Sequence, residues 1–278
     1  MTVVEARGEL IASRRMGAFQ HHTIVVPELA DRARPGQLAS FAVGGRTSAL
    51  VGRRTLPLAA ITPSGTYGGT IEVVVDPARD AGMRWLAGLR VHDEVDVIGP
   101  LGRAFPLPAH GVDAMVLGVG ASAAPLGWLS TALRDRGCRV ELMLAGETDR
   151  HLVGVIEARR VIGTVSVVTP GPSGLLPVLR DELQRTLRAT EISVVYAAAR
   201  AAELSAVVEV ARPFGVTVQA LLDEAMPCGT GLCGSCEVPV TGSDGIGRTI
   251  RCCTEGAVIR GDLVQWDRYV SELWEGAR

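Results

Sequence analysis

Three cysteines packed into nine residues constrain this chain more than any other feature. Cys228, Cys233 and Cys236 read C-G-T-G-L-C-G-S-C, with four residues inside the first interval and two inside the second. This is the plant-type [2Fe–2S] spacing, in which a fourth cysteine arrives later in the chain. The pattern suits the chemistry. A tight loop has to wrap one side of a flat, negatively charged cluster, and thiolates are the soft ligands iron prefers. Gly229, Gly231 and Gly234 stand between the cysteines, where the backbone needs unusual dihedrals to bring N–H groups near sulfur. Cys252 and Cys253 are both placed to be the fourth ligand. Neighbouring side chains point to different sides, so only one of them faces the cluster. A structural zinc site also uses four thiolates, but in short C-x-x-C pairs, and only Cys233 and Cys236 have that spacing. A disulfide would need an oxidising compartment, for which nothing else argues. Cys138, in an apolar stretch, reads as a packed core thiol.

At 278 residues the chain is long for one core, and two or three domains are expected. A hydrophobic content of 47% is ample for packed cores, and a net charge of −2 offers no basic face to nucleic acid. The opening M-T-V-V-E-A-R-G-E-L has no cationic stretch followed by an apolar run, and no apolar run reaches spanning length. The expectation is a soluble cytoplasmic protein.

Three regions follow from the patterning. From residue 1 to 108, short β-like runs (Phe19 to Val26, Gln37 to Val43, Ile71 to Val75, Val95 to Ile98) are broken by Gly and Pro, without convincing helices. They predict a small antiparallel barrel. From 109 to 218 the rhythm becomes buried strands (Ala114 to Val119, Val140 to Ala145, Val165 to Thr169, Ile192 to Ala197) alternating with helices such as Ala124 to Arg136, an α/β parallel sheet. Residues 219 to 278 form a small cysteine-loop domain. His21-His22 reads as a solvent-facing pair or turn. Trp266, Tyr269 and Trp274, at near-helical spacing, read as a hydrophobic seam.

Barrel, nucleotide-binding-like module and plant-type cluster domain, in that order, resemble the electron-transfer subunit of class 1B dihydroorotate dehydrogenase, a branch of the ferredoxin–NADP reductase superfamily. The likeness is carried by Pro35 to Leu38 (P-G-Q-L), Gly52 to Arg54 (G-R-R), Val95 to Phe105 (V-D-V-I-G-P-L-G-R-A-F) and Ala124 to Leu129 (A-P-L-G-W-L). It is carried most specifically by Met226 to Pro239 and by Cys253 to Ile259 (C-T-E-G-A-V-I). The resemblance implies that Cys253 is the fourth ligand. It also implies a partner, the FMN-containing dihydroorotate dehydrogenase catalytic subunit of pyrimidine biosynthesis, in a heterotetramer of two catalytic and two accessory chains.

The family places FAD on the barrel and NAD on the module, and there this sequence departs. The flavin motif, arginine then Pro-x-Ser, reads Arg54-Thr55-Leu56-Pro57, so a ring with no donor replaces a hydroxyl. The G-x-G-T segment reads Asp80-Ala81-Gly82-Met83, with an acid where an anion should approach. Arg54 and Gly82 are what remains of the flavin-binding set, and FAD stays open. The module's G-G-G-x-G turn reads Gly118-Val119-Gly120-Ala121-Ser122, its D-D-G-S reads Pro170-Gly171-Pro172-Ser173, and its C-G-P reads Ala198-Ala199-Arg200. A Cβ at lost glycines blocks close approach of a pyrophosphate, so NAD binding is expected to be absent. The resulting expectation is an accessory subunit with no catalytic residue of its own. It accepts electrons from its partner's flavin at a [2Fe–2S] cluster held by Cys228, Cys233, Cys236 and Cys253, with Leu232 and Met226 as candidate docking anchors. A complete FAD/[2Fe–2S] NADH-linked reductase and a purely structural subunit are the competing readings.

Overall fold

A computed structural model describes residues 3–45, 48–65 and 68–276. The first region contains β1 (Val4–Met16), β2 (Phe19–Val25), the single turn α1 (Pro27–Ala30), β3 (Leu38–Ala42), β4 (Arg53–Thr62), β5 (Thr70–Val75), α2 (Ala81–Ala87) and β6 (Glu94–Leu101). The strands close as an antiparallel barrel in the order β1-β2-β5-β4-β3-β6, with β1 pairing both β2 and β6. Alternate residues fill the interior: Leu10, Ile24, Phe41, Leu58, Ile71, Val73 and Val97 are all fully buried. Met83 and Leu86 of α2 join this core. The sequence pattern predicts neither β4 nor α2. Pro57 interrupts β4 as a strand signal, and the register shift that follows, between Leu58 and Ala60, is where a strand tolerates it.

The histidine pair differs from its solvent-facing expectation. Adjacent strand positions face opposite ways, and both faces of β2 are covered. His22 is fully buried, its Nε2 2.9 Å from the Leu86 carbonyl, while His21 is 8% exposed and pairs with Glu72 at 2.9 Å.

The second region alternates β7 (Asp113–Val119), α3 (Leu126–Arg134), β8 (Arg139–Ala145), α4 (Val155–Ile162), β9 (Val165–Val168), α5 (Leu175–Ala189), β10 (Val194–Ala199), α6 (Ala201–Ala211) and β11 (Thr217–Leu222). These strands are parallel, in the order β11-β10-β7-β8-β9. Each is nearly continuous in apolar residues because helices cover both faces. Cys138 is buried, as a core thiol should be. The topological switch point lies between β7 and β10.

The third region contributes the hairpin β12 (Glu237–Thr241) and β13 (Gly247–Arg251), the turn α7 (Cys252–Glu255), β14 (Val258–Arg260) and α8 (Trp266–Gly276). β14 adds antiparallel to β11, so the cysteine region completes the module's sheet. Val238, Cys252, Cys253, Trp266 and Tyr269 are buried in the same continuous core as Leu117 and Val195. Trp266 and Tyr269 meet edge to face, with centroids 6.5 Å apart. The side chain of Trp274 lies outside the described residues. β11 runs across the boundary expected after residue 218.

Candidate iron–sulfur centre

The cysteine loop is built against the barrel. The Arg53 N–H donates to the Pro227 carbonyl at 2.9 Å, and Thr55 Oγ1 donates to the Met226 carbonyl at 2.7 Å. Strand β4 therefore fixes the start of the loop. Gly229 has φ +72°, and a Cβ there would lie 2.6 Å from Ser40 Oγ and 3.1 Å from Leu101 Cδ1. Only glycine fits both the left-handed backbone and the contact with β3 and β6. Gly102 and Arg103, just beyond β6, touch Gly256, and the Leu222 N–H donates to the Ala257 carbonyl at 3.0 Å. The far side of the site is thus anchored to both larger regions.

The thiols fall into two pairs. Cys233 lies close enough to Cys228 to hold its thiol pKa down, and the Thr230 N–H approaches the Cys228 sulfur at 3.4 Å. Cys236 and Cys253 place their sulfurs 3.4 Å apart, and the Gly231 N–H donates to Cys253 Sγ at 3.1 Å. Among the described residues, no three His, Cys, Asp or Glu side chains converge on one metal-ion position. Two dithiol pairs fit a two-iron unit, each iron taking two thiolates. N–H groups aimed at sulfur are the donors that tune such a site. The donor set and loop geometry therefore fit a [2Fe–2S] cluster.

Burial disfavours ionisation of Cys228, but the N–H groups of Cys233 and Thr230 outweigh it and hold the thiol down at about 6. Cys236 is lowered to about 6 chiefly by its hydrogen bond from the Cys253 thiol, and Cys253 is correspondingly pushed up. A lowered thiol is the metal-binding form. Cys252 faces elsewhere. Its N–H donates to the Cys236 carbonyl at 3.0 Å, and burial pushes its thiol up. Cys228 is half-buried and Cys233 exposed, while Cys236 and Cys253 are buried. Leu232, at the loop tip, is 88% exposed, whereas Met226 is buried.

Arg54 and Gly82 also come together, on each other. A Cβ on Gly82 would lie 2.5 Å from Arg54 Cζ, and Arg54 Nε donates to Asp80 Oδ1 at 2.8 Å. At the module's switch point the chain after β7 forms a short 3-10 turn (Gly120–Ala123), not the start of a helix, and α3 begins only at Leu126. Ser122 Oγ donates to the buried Asp223 at 2.8 Å. Glu203 nearby has a buried oxygen without a partner, and burial raises its pKa. Sequence reasoning missed Arg79, which crosses from the barrel to Asp223 at 2.7 Å. No local pattern signals that contact, because the two residues are far apart in the chain.

The chain's relatives agree with this geometry. The family described as the iron-sulfur cluster binding domain of dihydroorotate dehydrogenase B matches residues 223–265. A dihydroorotate dehydrogenase B (NAD(+)) electron transfer subunit of Geobacillus kaustophilus is 34% identical over 187 residues, covering 66% of this chain and 70% of that protein. The electron transfer subunit homolog of Thermotoga maritima is 26% identical over 249 residues, covering 89% and 83%. Among solved structures, a chain of the NADH-dependent reduced ferredoxin-NADP oxidoreductase, studied for flavin-based electron bifurcation, superposes with a TM-score of 0.82 at 25% identity, covering 97% of this chain and 94% of that one. A barrel, a parallel α/β module and a paired-thiol loop in one order, shared along most of their length with these relatives, place the chain in the family of dihydroorotate dehydrogenase B electron transfer subunits.

Proposed function

We propose that the chain serves an FMN-containing dihydroorotate dehydrogenase catalytic subunit in the cytoplasm, in pyrimidine biosynthesis, receiving electrons at a [2Fe–2S] cluster held by Cys228, Cys233, Cys236 and Cys253. The observation that carries the docking reading is Leu232, 88% exposed beside the exposed Cys233 while the start of the loop is held by the barrel. An apolar tip next to a thiol edge suits a surface that a partner covers. When bound, the cluster supplies a one-electron site. The chain's own residues hold its seat: the N–H groups of Thr230 and Gly231 donate to sulfur, Gly229 locks the loop onto the barrel, and Leu232 excludes water at the contact. The proposal keeps the division into 1–108, 109–218 and 219–278, with β11 joining the last two, and an assembly of two catalytic and two accessory chains.

NAD is a poor fit as the acceptor. The wall at the switch point carries Glu203 and Asp223, and Ser122 already has a partner. The side chains of Val119 and Ala121 also stand in a turn where close approach of a pyrophosphate needs glycine backbone.

The test is co-expression with an FMN-containing dihydroorotate dehydrogenase catalytic subunit. Co-purification with iron and sulfide is expected, and Leu232→Asp should weaken association about tenfold while leaving the visible spectrum intact. A stable monomer, with Leu232→Asp changing nothing, rejects the docking reading. Calorimetry showing micromolar NADH affinity rejects the exclusion of NAD.

A further inference from the structure

We propose that the flavin seat of the barrel is filled by the chain's own Asp80 carboxylate, so that this subunit works without FAD. The inference deepens the electron-transfer reading and rests on family membership for the position of the seat. It does not depend on which partner docks at the cluster loop.

A flavin pyrophosphate needs a fixed cation and free N–H donors. Here donors already have partners within the chain. Arg54 Nε donates to Asp80 Oδ1 at 2.8 Å, and the Met83 N–H donates to the same oxygen at 3.0 Å. Arg54 Nη1 turns back to its neighbour's carbonyl, that of Arg53, at 3.0 Å. The guanidinium lies so close over Gly82 that a Cβ would approach it to 2.5 Å. The arginine is therefore folded down onto the first turn of α2, not extended toward a ligand. A phosphate arriving at this point meets a carboxylate of like sign.

The adjacent residue closes the seam between barrel and module. Arg79 Nη1 donates to Asp223 Oδ1 and Nη2 to the Asp223 carbonyl, both at 2.7 Å, and Ser122 Oγ donates to Asp223 Oδ2 at 2.8 Å. The Arg79 and Asp223 side chains are 13% and 7% exposed, so this clamp is dry. The cavity left beside it, of about 310 Å³, is bounded by Phe19, Asp76, Val119 and His151. Asp80 thus serves as an internal anion for Arg54, and Asp223 ties Arg79 across the seam between barrel and module. The barrel core is packed by Phe41, Leu58 and Met83.

The experiment uses the full chain, purified anaerobically with its iron content measured, incubated with FAD, desalted and read by flavin fluorescence after denaturation. The wild type should retain no FAD above a protein-free control. Asp80→Asn keeps the shape and removes the charge. Asp80→Ser keeps a helix-capping oxygen and frees Arg54. At least one of the two should bind FAD about tenfold or more tighter than wild type. Near-stoichiometric FAD in the wild type overturns the proposal. So does equal, weak FAD binding by wild type and both variants, because the carboxylate is then not the barrier. Neither result bears on partner association, so docking at Leu232 stands or falls separately.

Discussion

The cysteine loop and the Arg54 seat are built from similar parts, yet they have opposite fates. Each is a glycine-bearing turn beside a strand, with N–H donors facing a common point. In the loop, the donors end on thiol sulfurs whose two pairs still require metal. In the seat, the donors end on Asp80, a group of the chain itself. One site is incomplete without its cofactor and the other is complete as it stands. A single acidic side chain in the donors' reach converts a binding turn into a structural one, whereas no residue in the loop can replace iron for four thiolates.

Several measurements would break or sharpen that contrast. The largest effect should come from Cys253→Ser, which removes half of the buried pair with Cys236. Visible absorption and acid-labile sulfide should be lost, and the last domain should become protease-sensitive, because metal binding there is also folding energy. Cys252→Ala should retain the full iron and sulfide content. If the two variants behave the other way round, the pairing is misassigned.

Next in size is the clamp between barrel and module. Asp223→Ala leaves the Arg79 guanidinium buried and unpaired, at a cost of about 3–5 kcal/mol in a denaturant titration. A loss below about 1 kcal/mol would mean that water reaches the seam freely and the clamp is not closed.

Gly229→Ala should cost less, about 1–3 kcal/mol, through its positive φ and the collision with Ser40. The effect should appear as slower cluster assembly, read by the growth of visible absorption on reconstitution. Unchanged assembly would show that the barrel does not shape the loop.

The smallest effect is a pH dependence in the barrel. Burial, partly opposed by the hydrogen bond to the Leu86 carbonyl, lowers the pKa of His22 below its ordinary 6.5. Its neutral form is the folded one. Its contribution is therefore complete above pH 6.5 and is lost as pH falls from there through the folded value, by at most about 1.4 kcal/mol per pH unit. Urea midpoints at pH 7.5 and 5.5 should differ accordingly, and His22→Gln, which keeps a donor without titrating, should flatten the difference. Equal slopes in both proteins would place the titration elsewhere.

The sequence by itself determined what is local. The spacing of Cys228, Cys233 and Cys236 with their glycines needs only a few residues of backbone to specify a metal loop. Period-two and buried-strand patterns likewise announced most barrel and module strands, because burial on one or both faces is written into neighbouring residues. Tertiary structure decided what depends on distant partners. Cys252 and Cys253 are indistinguishable as adjacent letters, and only the placement of α7 beside Gly231 sends the second toward Cys236. The histidines of β2 read as a surface pair until α2 and the module cover both faces of their strand. The acid at Asp80 was visible as a misfit to an anion site. That it takes Arg54 for itself, and that Arg79 beside it reaches 144 residues along the chain to Asp223, follows only when the barrel docks on the module. Ion pairs of that kind join surfaces distant in the chain, and their partners leave no periodic trace in the sequence.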